Sequence, residues 1–459
     1  MKLLRGERSM TFSAMSLITA TLATNALGLV FWTVAARLGS PGIVGHAAAA
    51  VAALTLLATI SQLNLTNVFL RLLPGAGQLG RRLIARGYVA VVALSLAVGA
   101  VYVFSGLGHK VVEGGLAAQL AFIVAVPVLA VFALQDSVLT ALRRAPWVAA
   151  ENISFATTKL VLLPAAVLLP IGGGIVISWV VPAAIAVIVV SALLFGRVLG
   201  GLEHIEGTLP GRRRLMSFVA GEYVTAVWAT ATTQLMPLIV VWRLGPAQVA
   251  YFTLPWLISM GIGLLLWNVA SAFVVELASP HQHSDALLRR TLMLWGGVVA
   301  GALLVCVIAA GPLLSLAGGS YAANGVELLR LIGCSAPFSA LVALYCTLMW
   351  LDRRVWLLAA FQAASGVALL TVTLVLLPHL GLVAVGWANL GVQAAAAILT
   401  APLIVRRLRP LAGVRPASPA DVRCSCNGAQ MTIPVVTIGA GAVIADGPVL
   451  NRDCEAGAV

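Results

Sequence analysis

Apolar residues run along this chain in long blocks, each closed by a short polar or basic interruption. A helix needs about 20 apolar residues to cross a bilayer, and open strands cannot span it because their backbone groups would go unpaired. On that criterion the pattern predicts twelve membrane helices, over 11–36, 43–70, 84–106, 116–141, 149–169, 174–196, 215–242, 247–277, 291–316, 326–350, 355–378 and 381–404. The basic start MKLLRGER leads into a first block too long for the apolar core of a cleaved signal peptide, so it reads as a retained helix.

The polar interruptions alternate in charge. Lys2, Arg5 and Arg8, then Arg81 and Arg82 with Arg86, Arg143 and Arg144, Arg197 with Arg212 to Arg214, Arg289 and Arg290, Arg353 and Arg354, and Arg406, Arg407 and Arg409 fall in every second segment. The segments between hold little more than Arg37, Lys110 and Arg243. Basic residues in short loops mark the cytoplasmic side, so both termini are expected in the cytoplasm of a multi-pass protein of the bacterial inner membrane.

Within these blocks the chain repeats itself. Arg37-Leu38-Gly39 returns as Arg243-Leu244-Gly245, Arg143-Arg144 with Trp147 returns as Arg353-Arg354 with Trp356, and VLLPIGGGIVISW from Val167 returns as VLLPHLGLVAVGW from Val375. The offsets are 206, 210 and 208 residues, in the same order along the chain. Six helices per unit is an even number, so both units enter the membrane from one side, as in transporters built from parallel repeats. The expected organisation is a cytoplasmic N-terminus 1–10, a six-helix lobe 11–198, a linker 199–214, a second six-helix lobe 215–407 and a cytoplasmic tail 408–459. In the tail, Ile438, Ile444 and Leu450 are spaced six apart, as in hexapeptide-repeat β-helices, but too few turns are present to bury a core. A remnant of such a repeat and a disordered segment are both open readings.

Composition sharpens the class. The chain is 61% hydrophobic and 9% charged, against about 45–50% and about 25% in soluble domains. The net charge of +13 is nearly all arginine, with no basic stripe interleaved with aromatics, so a nucleic-acid partner is not expected. The six cysteines show no CxxC or Cys/His spacing, and no metal or cofactor is expected. His281 and His283 read as solvated loop residues.

The candidate chemistry lies where ionisable groups enter the apolar blocks. A charge at membrane depth costs about 2.5–3.5 kcal/mol on insertion scales, so such groups usually face a cavity or a partner. Lys159 sits near the middle of the fifth helix, with Asn152 on nearly the same face and Glu151 beside it; Asp136 lies inside the fourth helix. Two readings stay open: an ion pair between Lys159 and Asp136 or Glu151 that locks two helices, or a Lys159 that lines a water-filled cavity and meets an anionic group of a substrate. Glu222 with Thr225 and Thr233 in the seventh helix, Thr21, Thr24 and Asn25 in the first, Asn64 and Asn67 in the second and Asn268 in the eighth are further candidates for cavity lining. Small and hydroxyl residues are equally ordinary glue between membrane helices.

No Walker A sequence is present, and no long extracytoplasmic loop could carry catalytic residues, so the chain reads as a transporter rather than a nucleotide-driven pump or a membrane enzyme. FWTVAARLGSPGIVGHAAA (from Phe31), QLNLTNVFLRLLPGAG (from Gln62) and QDSVLTALRRAPWVAAEN (from Gln135) resemble the polysaccharide-biosynthesis flippases, the Wzx-type O-antigen branch of the multidrug/oligosaccharidyl-lipid/polysaccharide exporter (MOP) superfamily. The resemblance covers about residues 10–407. It implies two lobes around a central cavity, alternating access, and movement of an undecaprenyl-pyrophosphate-linked oligosaccharide for surface polysaccharide and lipopolysaccharide biosynthesis. The partners it implies are that lipid-linked oligosaccharide, membrane lipids, and the glycosyltransferases and polymerase of the pathway; Lys159 would help accommodate the pyrophosphate or an acidic sugar. A proton-coupled multidrug exporter would carry an acidic residue in the first helix, and 11–36 has none. The alternatives are a small-molecule exporter of that kind and a non-transporting scaffold of a glycan-assembly complex. A major-facilitator transporter is disfavoured, because LLPGAGQLGRR stands where its Gly-x-x-x-Asp-Arg loop is expected.

Overall fold

A computed structural model describes residues 24–112, 114–168, 173–199, 212–277, 284–352 and 354–412, and short tail segments at 423–426, 429–432, 436–437 and 442–443. The body is all helical. A helix over 24–38 (α1) is followed by α2 (Pro41–Ser61), α3 (Leu65–Ala76), α4 (Leu79–Phe104), α5 (Leu116–Ala141), α6 (Ala145–Leu168) and α7 (Gly174–Leu193), which ends in a π-turn at Leu194–Val198. Then come α8 (Arg212–Leu244), α9 (Pro246–Leu277), α10 (Ser284–Leu303) with a π-turn at Leu304–Ile308, α11 (Ala310–Ser315), α12 (Gly319–Leu351), α13 (Val355–Leu380) and α14 (Val383–Ala412). Among the described residues, eight helices are long and apolar enough to cross a membrane. Their outward faces carry Val89, Val101, Ile188, Ile308, Ile398 and Leu399, all well exposed, as a lipid-facing surface requires.

Where their residues are described, the predicted spans fall on helical elements (11–23 of the first span lies outside the described residues), and the differences have local causes. The second span is not continuous: α2 stops at Ser61 and α3 starts at Leu65, with Leu63 (φ 48°) and Asn64 (φ 58°) in the left-handed region between them. Asn tolerates that conformation, and its side chain accepts a 2.8 Å hydrogen bond from Asn67 Nδ2. Gln62 Nε2 donates to the Ala130 carbonyl on α5 (3.2 Å) and the Tyr223 hydroxyl on α8 donates to the Ile60 carbonyl (2.8 Å). The Ile60 carbonyl at the break is thus taken up inside the protein, the condition under which breaks at membrane depth are tolerated. The ninth predicted span is likewise interrupted, by the π-turn before α11, and the tenth begins seven residues earlier than expected, at Gly319.

The first six spans meet the last six at the end of the bundle away from the arginine-rich loops. There α2 and α9 each begin with a proline, Pro41 and Pro246, where a missing N–H costs nothing. Gly45 faces the Pro246 carbonyl so closely that any Cβ would clash with it. Arg37 Nε donates to the Leu316 carbonyl (2.6 Å) and Nη2 to that of Ser315 (3.3 Å), at the end of α11. Lys110 Nζ donates to the Trp242 carbonyl near the end of α8 (2.9 Å) and lies 5.7 Å from the ring centre, with His109 edge-on to the same ring. Position 37 is the counterpart of 243 at the repeat offset of 206, and 110 of 316 at the same offset, so the two contacts sit in related places.

In the tail, β1 (Arg423–Cys426) pairs antiparallel with β2 (Ala429–Thr432), and β3 (Val436–Thr437) with β4 (Ala442–Val443). The hexad register from Ile438 lies, β4 apart, outside the described residues.

Candidate functional site

Two side-chain groups occupy the interior of the first half, one on each side of a two-turn interval of α6. The upper one surrounds Lys159, which is 3% exposed. Its ammonium lies 3.6 Å from the centre of the Trp179 ring on α7, 4.8 Å from that of Phe155 one turn earlier on α6, and 5.3 Å from that of Phe31 on α1. Phe31 and Phe155 stand edge-on to Trp179 at 5.3 and 5.9 Å, and Trp32 and Phe132 extend the cluster to α1 and α5. A desolvated cation over an aromatic face gains about 2 kcal/mol, and three faces share the charge here. No ion pair joins Lys159 to Asp136 or Glu151, and among the described residues it has no carboxylate partner. Of the two arrangements left open above, the interhelical ion pair is not formed.

About 12 Å along the helix axis from Lys159 lies the lower group. Asp136 accepts a 2.9 Å hydrogen bond from Asn152 Nδ2, which also reaches the Val148 carbonyl (3.0 Å). Glu151 is 6% exposed, and neither carboxylate oxygen has a hydrogen-bond partner. Gln135, fully buried, spends its amide N–H groups on Ser191 Oγ (3.0 Å) and the Val187 carbonyl (3.2 Å) of α7, which leaves its Oε1 unpartnered. Tyr88 of α4 lies beside Gln135 and Glu151, its hydroxyl also unpartnered and its ring edge-on to Phe195. Tyr88 and Gln135 were not singled out from the sequence. Gln135 adjoins Asp136, but a single amide in an apolar block reads as helix glue, and Tyr88 lies 47 residues upstream of it.

The remaining candidates are scattered. Asn25 is exposed on α1, Asn268 exposed on α9, and Asn67 half-buried beside the α2–α3 break. Glu222 belongs to α8, and its side chain lies outside the described residues, as does Arg353. Arg81, Arg82, Arg143, Arg144 and Arg354 are exposed at the basic end, with Arg144 5.7 Å from the centre of the Trp147 ring. His281 and His283 lie outside the described residues.

No protein-family model matches the sequence, and no curated protein matches it. Solved structures do. An inward-facing multidrug resistance MATE family transporter of the MOP superfamily aligns with a TM-score of 0.62 at 14% identity, over 85% of this chain and 95% of that one. The lipid II flippase MurJ, in an inward closed conformation, also aligns at 0.62, with 10% identity over 86% and 87%. The chain has the fold of the MOP-superfamily transporters. The MATE multidrug transporter DinF-BH, solved in complex with R6G, follows at 0.55 and 16% identity, over 89% and 96%. These chains are transporters and flippases rather than enzymes, and what they share with this one is the twelve-helix architecture.

Proposed function

We propose that the chain is a flippase that carries a lipid-linked oligosaccharide, on an undecaprenyl-pyrophosphate carrier, across the bacterial inner membrane by alternating access between two six-helix lobes, with both termini cytoplasmic. The observation that carries this reading is Lys159, a buried cation whose charge, among the described residues, meets π faces and no carboxylate. Such a site is receptive to an anion: a pyrophosphate displacing one ring from the ammonium would exchange a cation–π contact for a charge-assisted hydrogen bond, roughly twice as strong as a neutral one. A carrier of cationic drugs has no use for a positive charge placed there. Asp136, Glu151, Asn152, Glu222, Asn25, Asn67 and Asn268 belong, in this reading, to the walls of the path or to elements that move with it.

The test is genetic and biochemical together. Lys159→Ala is expected to abolish surface polysaccharide in a flippase-deficient strain complemented with this gene, while the variant still inserts and purifies as a monodisperse protein. Export retained by that variant would remove Lys159 from the mechanism. A second reading, a small-molecule exporter, is favoured by the unpartnered Glu151, which would suit a cationic drug. It predicts a change in drug resistance with surface polysaccharide unaltered.

A further inference from the structure

Four oxygen atoms in the lower group have no partner: both of Glu151, Oε1 of Gln135 and the hydroxyl of Tyr88. They come from three helices, α4, α5 and α6, and Asp136 adds a second carboxylate held in place by Asn152. Orphaned buried oxygens are rare because each costs the desolvation of that group, about 1–3 kcal/mol and more for a charged one. An arrangement that leaves four of them together needs something that satisfies all four at once. Among the neighbouring donors, the Tyr88 hydroxyl has a single hydrogen, enough for Gln135 Oε1 or one Glu151 oxygen but not for the rest. The Gln135 amide is committed to α7 and the Asn152 amide to Asp136 and Val148, so neither can turn to Glu151 without breaking bonds already made.

The charged groups around the site do not fill this need. Arg143 and Arg144 are exposed in the loop between α5 and α6, Arg81 and Arg82 are exposed at the start of α4, and Lys159 is two turns away inside its cage of rings. The titratable groups facing Glu151 are Asp136 and Tyr88, neither of which supplies positive charge. The donor set is oxygen alone, carboxylate, amide carbonyl and phenol, with no nitrogen or sulfur. Such sets suit hard cations of the alkali and alkaline-earth kind rather than zinc or copper.

We infer that Tyr88, Gln135, Asp136 and Glu151 form a binding site for a hard metal cation inside the first half of the molecule. The ion lies between the two carboxylates and draws in the Gln135 carbonyl and the Tyr88 hydroxyl. Because the site ties α4 to α5 and α6, its occupancy holds those three helices in one arrangement. The inference stands apart from the transported lipid: the assay below contains no oligosaccharide, so either conclusion can fail while the other survives.

The purified full-length protein in nanodiscs is heated in choline chloride and, at matched ionic strength, in NaCl, KCl, MgCl2 or CaCl2. The expected result is a saturable upward shift in Tm with at least one metal ion and none with choline. The sodium and potassium arms against the magnesium and calcium arms fix the charge of the ion. Glu151→Gln keeps the shape of the side chain and is expected to abolish the shift. Tyr88→Phe removes one oxygen with little risk to folding, and is expected to raise the concentration needed for half the shift several-fold. The inference is overturned if no metal ion raises Tm while acidification does, since Glu151 then takes only a proton. It is equally overturned if neither treatment acts, or if the shift in Tyr88→Phe and Glu151→Gln equals that of the unaltered protein.

Discussion

The two halves share an architecture and differ in what they bury. In the first half, α5 and α6 place Gln135, Asp136, Glu151 and Lys159 in the interior. At an offset of 208 residues the second half presents Ala343, Leu344, Ala359 and Val367. Ala343 and Leu344 join an apolar cluster with Trp295, Tyr345 and Leu358, Ala359 is buried, and Val367 is exposed. Trp179, which faces the Lys159 ammonium, has its counterpart in Trp387, 49% exposed on α14. A twofold-related scaffold needs matching helices and matching loops; it does not need buried charge. Among the described residues the second half buries no charged side chain, so the polar interior of the first half is an addition that the shared scaffold does not require.

The comparison breaks most sharply if charge is moved across. Ala359→Glu places the counterpart of Glu151 in the second half, at a buried position. An unpaired buried carboxylate there is expected to cost several kcal/mol, seen as loss of the monodisperse peak in size-exclusion chromatography of a fluorescent fusion. Next in size is the tryptophan pair. Trp179→Ala removes a ring from the interior and a face from the ammonium, an expected loss of about 3–5 kcal/mol, whereas Trp387→Ala should stay within about 0.5 kcal/mol, as exposed substitutions do. Thermal unfolding in one detergent compares the two directly.

Smaller effects are expected where the halves touch. Arg37→Ala removes two side-chain bonds to carbonyls of the other half and Lys110→Ala removes one, about 1 kcal/mol per bond, and because the two share no partner their effects should add in the double variant. Spin-label distances across that end should then show a larger open population. Gly45→Ala at the α2–α9 contact should shift the same distances in the same direction. Tyr223→Phe, which frees the Ile60 carbonyl at the α2–α3 break, is the mildest change, about 1 kcal/mol or less, with an effect on distances at the basic end only.

How far the sequence announces these features depends on their range. Span positions follow from local apolar runs, and where the residues are described the predicted spans fall on helical elements. The loops alternate in charge because topology demands it. The α2–α3 break escapes the run-length criterion because Ser61 to Thr66 sits between apolar residues on both sides; Asn64 and Asn67 were its polar trace. The charged residues were visible because any charge in an apolar block stands out. Their surroundings were not: Phe31, Phe155 and Trp179 come from three helices, and nothing in their spacing says that their faces converge on Lys159. The same holds for Arg37 and Lys110, which looked like isolated loop cations until Leu316 and Trp242 were seen to accept from them.

The most direct test of the account is transport by the purified protein in vesicles. A fluorescent undecaprenyl-pyrophosphate oligosaccharide is placed in both leaflets, and its loss to an added membrane-impermeant quencher is followed with time. The account predicts slow, complete loss of fluorescence with the unaltered protein and arrest at the outer-leaflet fraction with Lys159→Ala. Arrest at the outer-leaflet fraction with the unaltered, folded protein, together with uptake of a cationic dye by the same vesicles, would contradict it.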